Sequence, residues 1–344
     1  MMYLPAAAIF IYLLYATLSS FASDLLLSVS LLALSMFITN LLVCWLIKEI
    51  ATHFADSTCS ISRITKNPYL LMTIYILLPI HTIEYHIGQF NTLACFFLTL
   101  GIYCILKKKE NLGFLSISIG MVIKVVIGLF LVLLLLSKRP WRTFLKRFFW
   151  ALLPHFISLI MIVAIPKLLF DFLNQIQVSI NELPPKFNMP ANIVDFLRYN
   201  ELASTTMIMV ISLVILAINF LFLFAYKKGM SLIDQVFFIT MILINISPIL
   251  YVTHLKIYLP IILLWFVVRE RDEGSDLKAI KLEKAIKIIM MIPTLSIAAW
   301  MYYPYLFIIF LGVMIGNIAL SSYNYKFWLG RTTKLTRLAE QKNM

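Results

Sequence analysis

Charge is what this chain has least of. Only 13% of its 344 residues are Asp, Glu, Lys or Arg, against 62% that are apolar, and that leaves too little polar surface to cover a water-soluble core of this size. A soluble domain is excluded. Cysteine is also scarce: Cys44, Cys95 and Cys104 fall inside apolar runs and Cys59 stands alone. With no C-x-x-C and no His-paired spacing, neither a disulfide framework nor a zinc site is indicated. Short alternating segments are missing as well, which argues against a transmembrane barrel. The opening stretch, residues 1–23, lacks a basic n-region and is followed by more apolar sequence, so it reads as part of the mature chain. No internal repeat or low-complexity tract occurs.

What the chain does have is continuous apolar runs separated by charged punctuation, near residues 3–20, 25–47, 68–80, 90–106, 113–136, 150–169, 203–225, 233–250, 256–268, 285–302 and 304–321. This pattern predicts an all-α, multi-pass transmembrane protein with about 9–11 membrane segments. We read residues 1–344 as a single integral membrane domain. Within it, 1–169 carries most of the chemistry-bearing residues, 170–202 is a noncytoplasmic loop, 203–321 holds the C-terminal helices and 322–344 is a basic cytoplasmic tail. The net charge of +13 is assigned to membrane orientation through the positive-inside rule rather than to nucleic acid.

The run 113–136 decides the topology. Lys107, Lys108 and Lys109 precede it and Lys138, Arg139 and Arg142 follow it, so both flanks are expected on the cytoplasmic side. One crossing cannot satisfy both. A re-entrant hairpin can, with two arms of about eleven residues, each reaching about 16 Å, turning between Gly120 and Gly128 and leaving Lys124 near the apex. On this scheme the cytoplasmic segments hold 24 of the 29 Lys and Arg residues. The basic-aromatic stretch 137–150 reads as an interfacial amphipathic helix. The charged stretch 269–287 reads as a solvated loop, with Glu283 four residues before Lys287 as helix support.

The polar residues collected on the noncytoplasmic side are His81, Glu84, His86, Gln89, Asn91, Lys124, His254 and Lys256. Polar groups at bilayer depth are costly unless they face water, a partner or a substrate, so the cluster at 81–91 reads as a cavity lining or, alternatively, as an ordinary loop. Lys124 and Lys256 can neutralise a phosphate, and His254 can donate to it or sit at the interface. Gln89 and Asn91, as donors and acceptors both, suit sugar hydroxyls. Glu84 is a possible general base or a structural partner of His81 or His86. Residues 81, 84 and 86 do not share one helical face, so no metal is expected.

The stretch G-Q-F-N at 88–91, a span, a basic turn, and Gly120 to Lys124 before a basic S-K-R-P-W-R together resemble the polyprenol-phosphate-mannose-dependent mannosyltransferases of the GT-C superfamily. Ser247-Pro248 followed by His254 and Pro260 is similar to that family's later S-P to H-Y stretch, and Tyr3-Leu4-Pro5 to its Y-P-P opening. The resemblance implies a GT-C-like membrane hexosyltransferase without cofactor that inverts by direct displacement. Its donor would be a polyprenyl-phosphate-linked sugar and its acceptor a glycan or glycolipid at the outer face of a cell membrane, with membrane lipid around it and the C-terminus cytoplasmic. Lys124 and His254 fit the phosphate role that the resemblance implies, and Gln89, Asn91 and Tyr3 fall on its motifs as expected substrate contacts. Lys256 is expected to join the phosphate contacts, and His81 and His86 the substrate contacts, from their own chemistry and position. The family's catalytic Asp precedes the Y-P-P region and has no matching position here. Glu84 and Asp24 are the candidates to replace it, and an N-terminally incomplete, noncatalytic subunit is an alternative. So is a lipid-linked sugar translocase, since broken helices around a midplane site also build transporters. Cysteines engineered at Glu110 and Ser137 should react with an impermeant reagent from the same side of the membrane; opposite-side labelling would sink the hairpin.

Overall fold

The computed structural model describes residues 16–17, 25–55, 68–76, 90–136, 140–167, 169–171, 173–174, 197, 202–227, 230–246 and 255–268. Among these the chain is helical and contains no strand, as expected where backbone polar groups must be satisfied within each segment. The α-helices among the described residues run in the order α1 (Leu25–Ala55), α2 (Pro68–Ile76), α3 (Asn91–Leu106), α4 (Glu110–Ile123), α5 (Leu133–Leu136), α6 (Trp141–Ala164), α7 (Thr205–Tyr226), α8 (Leu232–Ile246) and α9 (Leu255–Val268), with a 3-10 helix at Val125–Val132 between α4 and α5. Three spans, Ser30–His53, Trp141–Ala164 and Thr206–Tyr226, are long and apolar enough to cross a bilayer. The protein is an all-α, multi-pass membrane protein.

Its residues form two compact units, Met1–Leu183 with Thr253–Glu270, and Pro184–Val252 with Arg271–Met344. In the second unit Ser204 caps α7 through Met207 N–H (3.3 Å). At the start of α8 the Ser231 N–H donates to Asp234 Oδ2 at 3.1 Å and the Ser231 hydroxyl accepts from the Asp234 amide at 3.3 Å. This is the reciprocal arrangement of a capping box. Phe222 and Phe238 stack at 5.3 Å between the two helices.

The first unit is built from helices of alternating direction. Met36, Asn40, Val43, Cys44, Ile47, Ile50 and Ala51 make one buried stripe on α1, while Leu34, Phe37, Ile38, Leu41, Leu42 and Trp45 are exposed on the other side, the pattern of a helix between protein and lipid. Lys48 lies over Tyr69 at 5.4 Å and Tyr75 donates to Asn40 Oδ1 at 3.4 Å, so α2 runs antiparallel to α1. Tyr75 also meets Cys95 at 3.8 Å and Trp45 meets Tyr103 at 5.9 Å, so α3 runs parallel to α1.

Helices α3 and α4 form an antiparallel pair whose backbones touch. A Cβ on Gly101 would stand 2.9 Å from the Gly113 carbonyl oxygen, and one on Gly113 would stand 2.8 Å from that of Gly101. Small residues are what allow such an approach where lipid removes the hydrophobic drive for association. The turn between the two helices places Lys108 at φ 60°, with Lys108 N–H on Ile105 O (3.0 Å) and Lys109 N–H on Cys104 O (2.8 Å). These are the two bonds of a Schellman motif.

Helix α4 ends at Lys124, whose extended backbone (φ −138°, ψ 107°) breaks the path before the 3-10 helix. Gly120 then faces Ile127, and Gly128 faces Met121. Glu110 pairs with Arg147, and Ser118 donates to the Ala151 carbonyl, so α4 and α6 run parallel with their starts at one end. The chain between them must therefore go out and come back, which is hairpin geometry with its bend at Lys124. One expectation changes: the stretch 137–150 is no separate interfacial helix, because from Trp141 onward it forms the first turns of the continuous α6. Its aromatic row still has an interfacial character, with Trp141, Phe144 and Phe148 stacked at 5.3 and 6.0 Å and Trp141 68% exposed. Gly101→Ala and Gly113→Ala should each lower the thermal midpoint of purified protein, at a cost of about 1–3 kcal/mol from overpacking. Gly120→Ala, whose nearest neighbours stand at 3.3 Å or more, should be close to neutral; equal midpoints for all three would refute the tight contact.

Candidate functional site

Register along the α3–α4 pair locates the site. Gly101 and Ile105 face Gly113, and Phe97 faces Gly120, so continuing the same antiparallel register brings Lys124 level with the first turn of α3, at Thr92 and Leu93. Asn91 and Thr92, which open that turn, are buried. Helix α9 begins beside them: Lys256 is fully buried and its ammonium donates to the Thr92 hydroxyl at 2.6 Å. Every residue from Lys256 to Trp265 is buried, so α9 is a core helix, packed on α1 and α3. Phe130 of the 3-10 helix approaches Tyr258 with ring centroids 6.4 Å apart.

Asn91, Lys124 and Lys256 therefore gather at one end of the first unit. The opposite end carries Lys107, Lys108 and Lys109, the starts of α4 and α6, and Lys48 near the end of α1. Ile76 and Phe90, the described residues flanking segment 77–89, also lie at the Asn91 end, because α2 runs toward it and α3 away from it. His81, Glu84, His86 and Gln89 fall within that segment; they, Asp24, Tyr3 and His254 lie outside the described residues. Among the described residues no group of three or more His, Cys, Asp or Glu is placed to hold a metal ion.

The gathered residues differ in accessibility. Lys124 is partly exposed at the helix break, where its extended backbone passes from α4 into the 3-10 helix. Lys256 is sealed from solvent, so in this arrangement it clasps α9 to α3 and adds positive charge behind Thr92. A buried ammonium is costly unless polar groups surround it, and Thr92 supplies one of them. Sequence reasoning missed Thr92, although it directly follows Asn91. It also missed the polar thread of Asn40, Tyr75 and Cys95 that joins α1, α2 and α3 below the site. Asn40, the one Asn in an otherwise apolar run, was the available signal.

Broken and short helices that bring two lysines and an Asn-Thr pair to one end of the first unit define an integral membrane protein with a polar, positively charged end set among apolar helices. The family model for glycosyltransferase family 87 matches residues 2–248, and the chain belongs to that family: it is a membrane glycosyltransferase. The matched stretch includes Asn91, Thr92 and Lys124 and stops short of His254 and Lys256. A search among curated proteins finds no matching relative.

Removing the buried contact should be measurable apart from activity. Thr92→Val should destabilise the protein by about 1–3 kcal/mol, because it takes a hydrogen-bonding partner from a buried ammonium. Combined with Lys256→Met, the loss should be smaller than the sum of the single losses by about 1 kcal/mol or more in a thermal or chemical unfolding cycle. Additive losses would show that the two side chains do not depend on one another.

Proposed function

We propose that the protein transfers a hexosyl group, with mannosyl as the first choice, from a polyprenyl-phosphate donor to a glycan or glycolipid acceptor on the noncytoplasmic face of a cell membrane. The observation that carries this reading is the gathering of Lys124, Lys256, Asn91 and Thr92 at the end of the first unit opposite its basic end. Basic residues favour the cytoplasmic side, so the lysines at the other end stand against the orientation rule and call for an anionic ligand. A donor whose lipid tail lies in the bilayer brings its phosphate to this depth without leaving the membrane.

In the proposed reaction a carboxylate takes the proton of the acceptor hydroxyl, whose oxygen attacks the anomeric carbon of the donor sugar. The bond from that carbon to the phosphate oxygen breaks with inversion, and polyprenyl phosphate departs with the bonding electrons. Lys124 neutralises the negative charge developing on the phosphate, with His254 as a second donor and Lys256 reinforcing the field from behind Thr92. Asn91 and Gln89 bind sugar hydroxyls, with His81, His86 and Tyr3 completing the lining. Glu84 is the proposed base, since it belongs to the segment joined to Ile76 and Phe90 at this end, and Asp24 is the other candidate.

Purified full-length protein supplied with a labelled polyprenyl-phosphate hexose should transfer label to an acceptor and release polyprenyl phosphate. Lys124→Ala should lower the turnover rate about 10²–10³-fold while leaving the thermal midpoint nearly unchanged. Transfer at the unmodified rate by that variant would remove Lys124 from the phosphate site, and movement of intact donor across vesicles without sugar release would replace transfer by translocation.

A further inference from the structure

At the end of the first unit away from the proposed catalytic centre, the starts of α4 and α6 enclose an open cleft of ≈ 570 Å³. Its charged lining consists of Lys108, Lys109, Arg142, Lys146 and Arg147 with a single carboxylate, Glu110. That carboxylate is held by Arg147, which is buried. Lys108, Lys109, Arg142 and Lys146 are exposed and form no ion pair with a described residue. The pair at the base thus leaves the cleft with four solvent-facing cations held around a concave surface, an arrangement that costs self-repulsion when empty and repays it when an anion enters. The parallel α4 and α6 both begin here, and neither Lys109 nor Pro140 closes its helix with a side-chain cap, so two positive helix ends add to the same field.

We propose that this cleft binds the phosphate headgroup of an anionic phospholipid. The surrounding surface selects lipid over a soluble phosphate. Trp141, Phe144 and Phe148 stack along the same first turns of α6 that carry Arg142 and Lys146, and farther along this helix Ile157, Ile160 and Val163 are exposed apolar side chains. An aromatic ridge leading into a lipid-facing helix marks headgroup depth, and basic clefts between helices at that depth suit anionic headgroups. A lipid can set its phosphate among the four cations while its glycerol and chains follow the ridge; a free anion makes no use of the ridge. Glu110 and Arg147 also join α4 to α6 here, so an occupied cleft would steady the base of the hairpin whose far end bears Lys124.

The test compares full-length protein incubated with phosphatidylglycerol or phosphatidylcholine, reading lipid retention by native mass spectrometry and the thermal midpoint in detergent. Phosphatidylglycerol should be retained preferentially and should raise the midpoint. Arg142→Gln with Lys146→Gln should weaken that retention about fivefold for each cation removed, whereas Lys227→Gln, in the other unit, should leave it unchanged. Arg142 and Lys146 are exposed and are not members of the Glu110–Arg147 pair, and the charge-conserving Arg142→Lys with Lys146→Arg should keep the binding, separating charge from fold. Equal retention of the two lipids, or equal retention by the double Gln variant and the Lys227 control, would overturn the proposal. Displacement of phosphatidylglycerol by inorganic phosphate at similar concentration would overturn the lipid assignment and leave a soluble-anion site. None of these outcomes depends on the identity of the transferred sugar.

Discussion

Two facing glycines govern the first unit. Gly101 and Gly113 bring the backbones of α3 and α4 to a separation that no side chain tolerates, with each carbonyl oxygen under 3 Å from where the other residue's Cβ would be. In lipid, apolar side chains gain nothing by leaving a hydrocarbon solvent, so association depends on close packing and polar contacts. A contact this close admits few registers. The register it selects puts Gly120 against Phe97 and carries the end of α4 to the level of Asn91 and Thr92, which is why a lysine 32 residues distant in sequence from Thr92 belongs to the same end of the molecule.

Beyond that pair, the unit separates two kinds of positive charge. At one end, lysines and arginines are numerous and mostly exposed, and the buried Arg147 is neutralised by Glu110. At the other there are two, Lys124 half-buried at the helix break and Lys256 fully enclosed and bonded to Thr92. Exposed cations cost little and orient the chain; enclosed ones are tolerated only where polar groups or a bound anion compensate them. The chain belongs to a glycosyltransferase family, and in the reaction proposed above this set meets the negative charge that grows on the departing phosphate.

Much of the helical organisation was legible in the sequence. The apolar runs at 25–47, 90–106 and 203–225 are helices, and the basic flanks of 113–136 pointed to a chain that goes out and returns, with its bend near Lys124. Those inferences hold because they rest on periodicity and on charge, which are local properties. Other boundaries escaped it. The basic stretch after Pro140 looked distinct from the apolar run that follows, yet one helix continues through both, since helical hydrogen bonding is indifferent to the change from polar to apolar side chains. Likewise Arg147 looked like one more orienting charge and proved to be buried against Glu110, a partner 37 residues earlier.

From composition and order alone came the class of protein and the placement of most described helices, together with a set of candidate residues chosen for their chemistry, because each of these follows from side chains read along the chain. Only tertiary structure decided which of them meet. Thr92 receives Lys256 across 164 positions, and Lys124 joins their end through the register of two touching glycines. Such encounters depend on the angle and depth at which helices pack, and helix packing is a property of pairs of surfaces that neither segment encodes by itself.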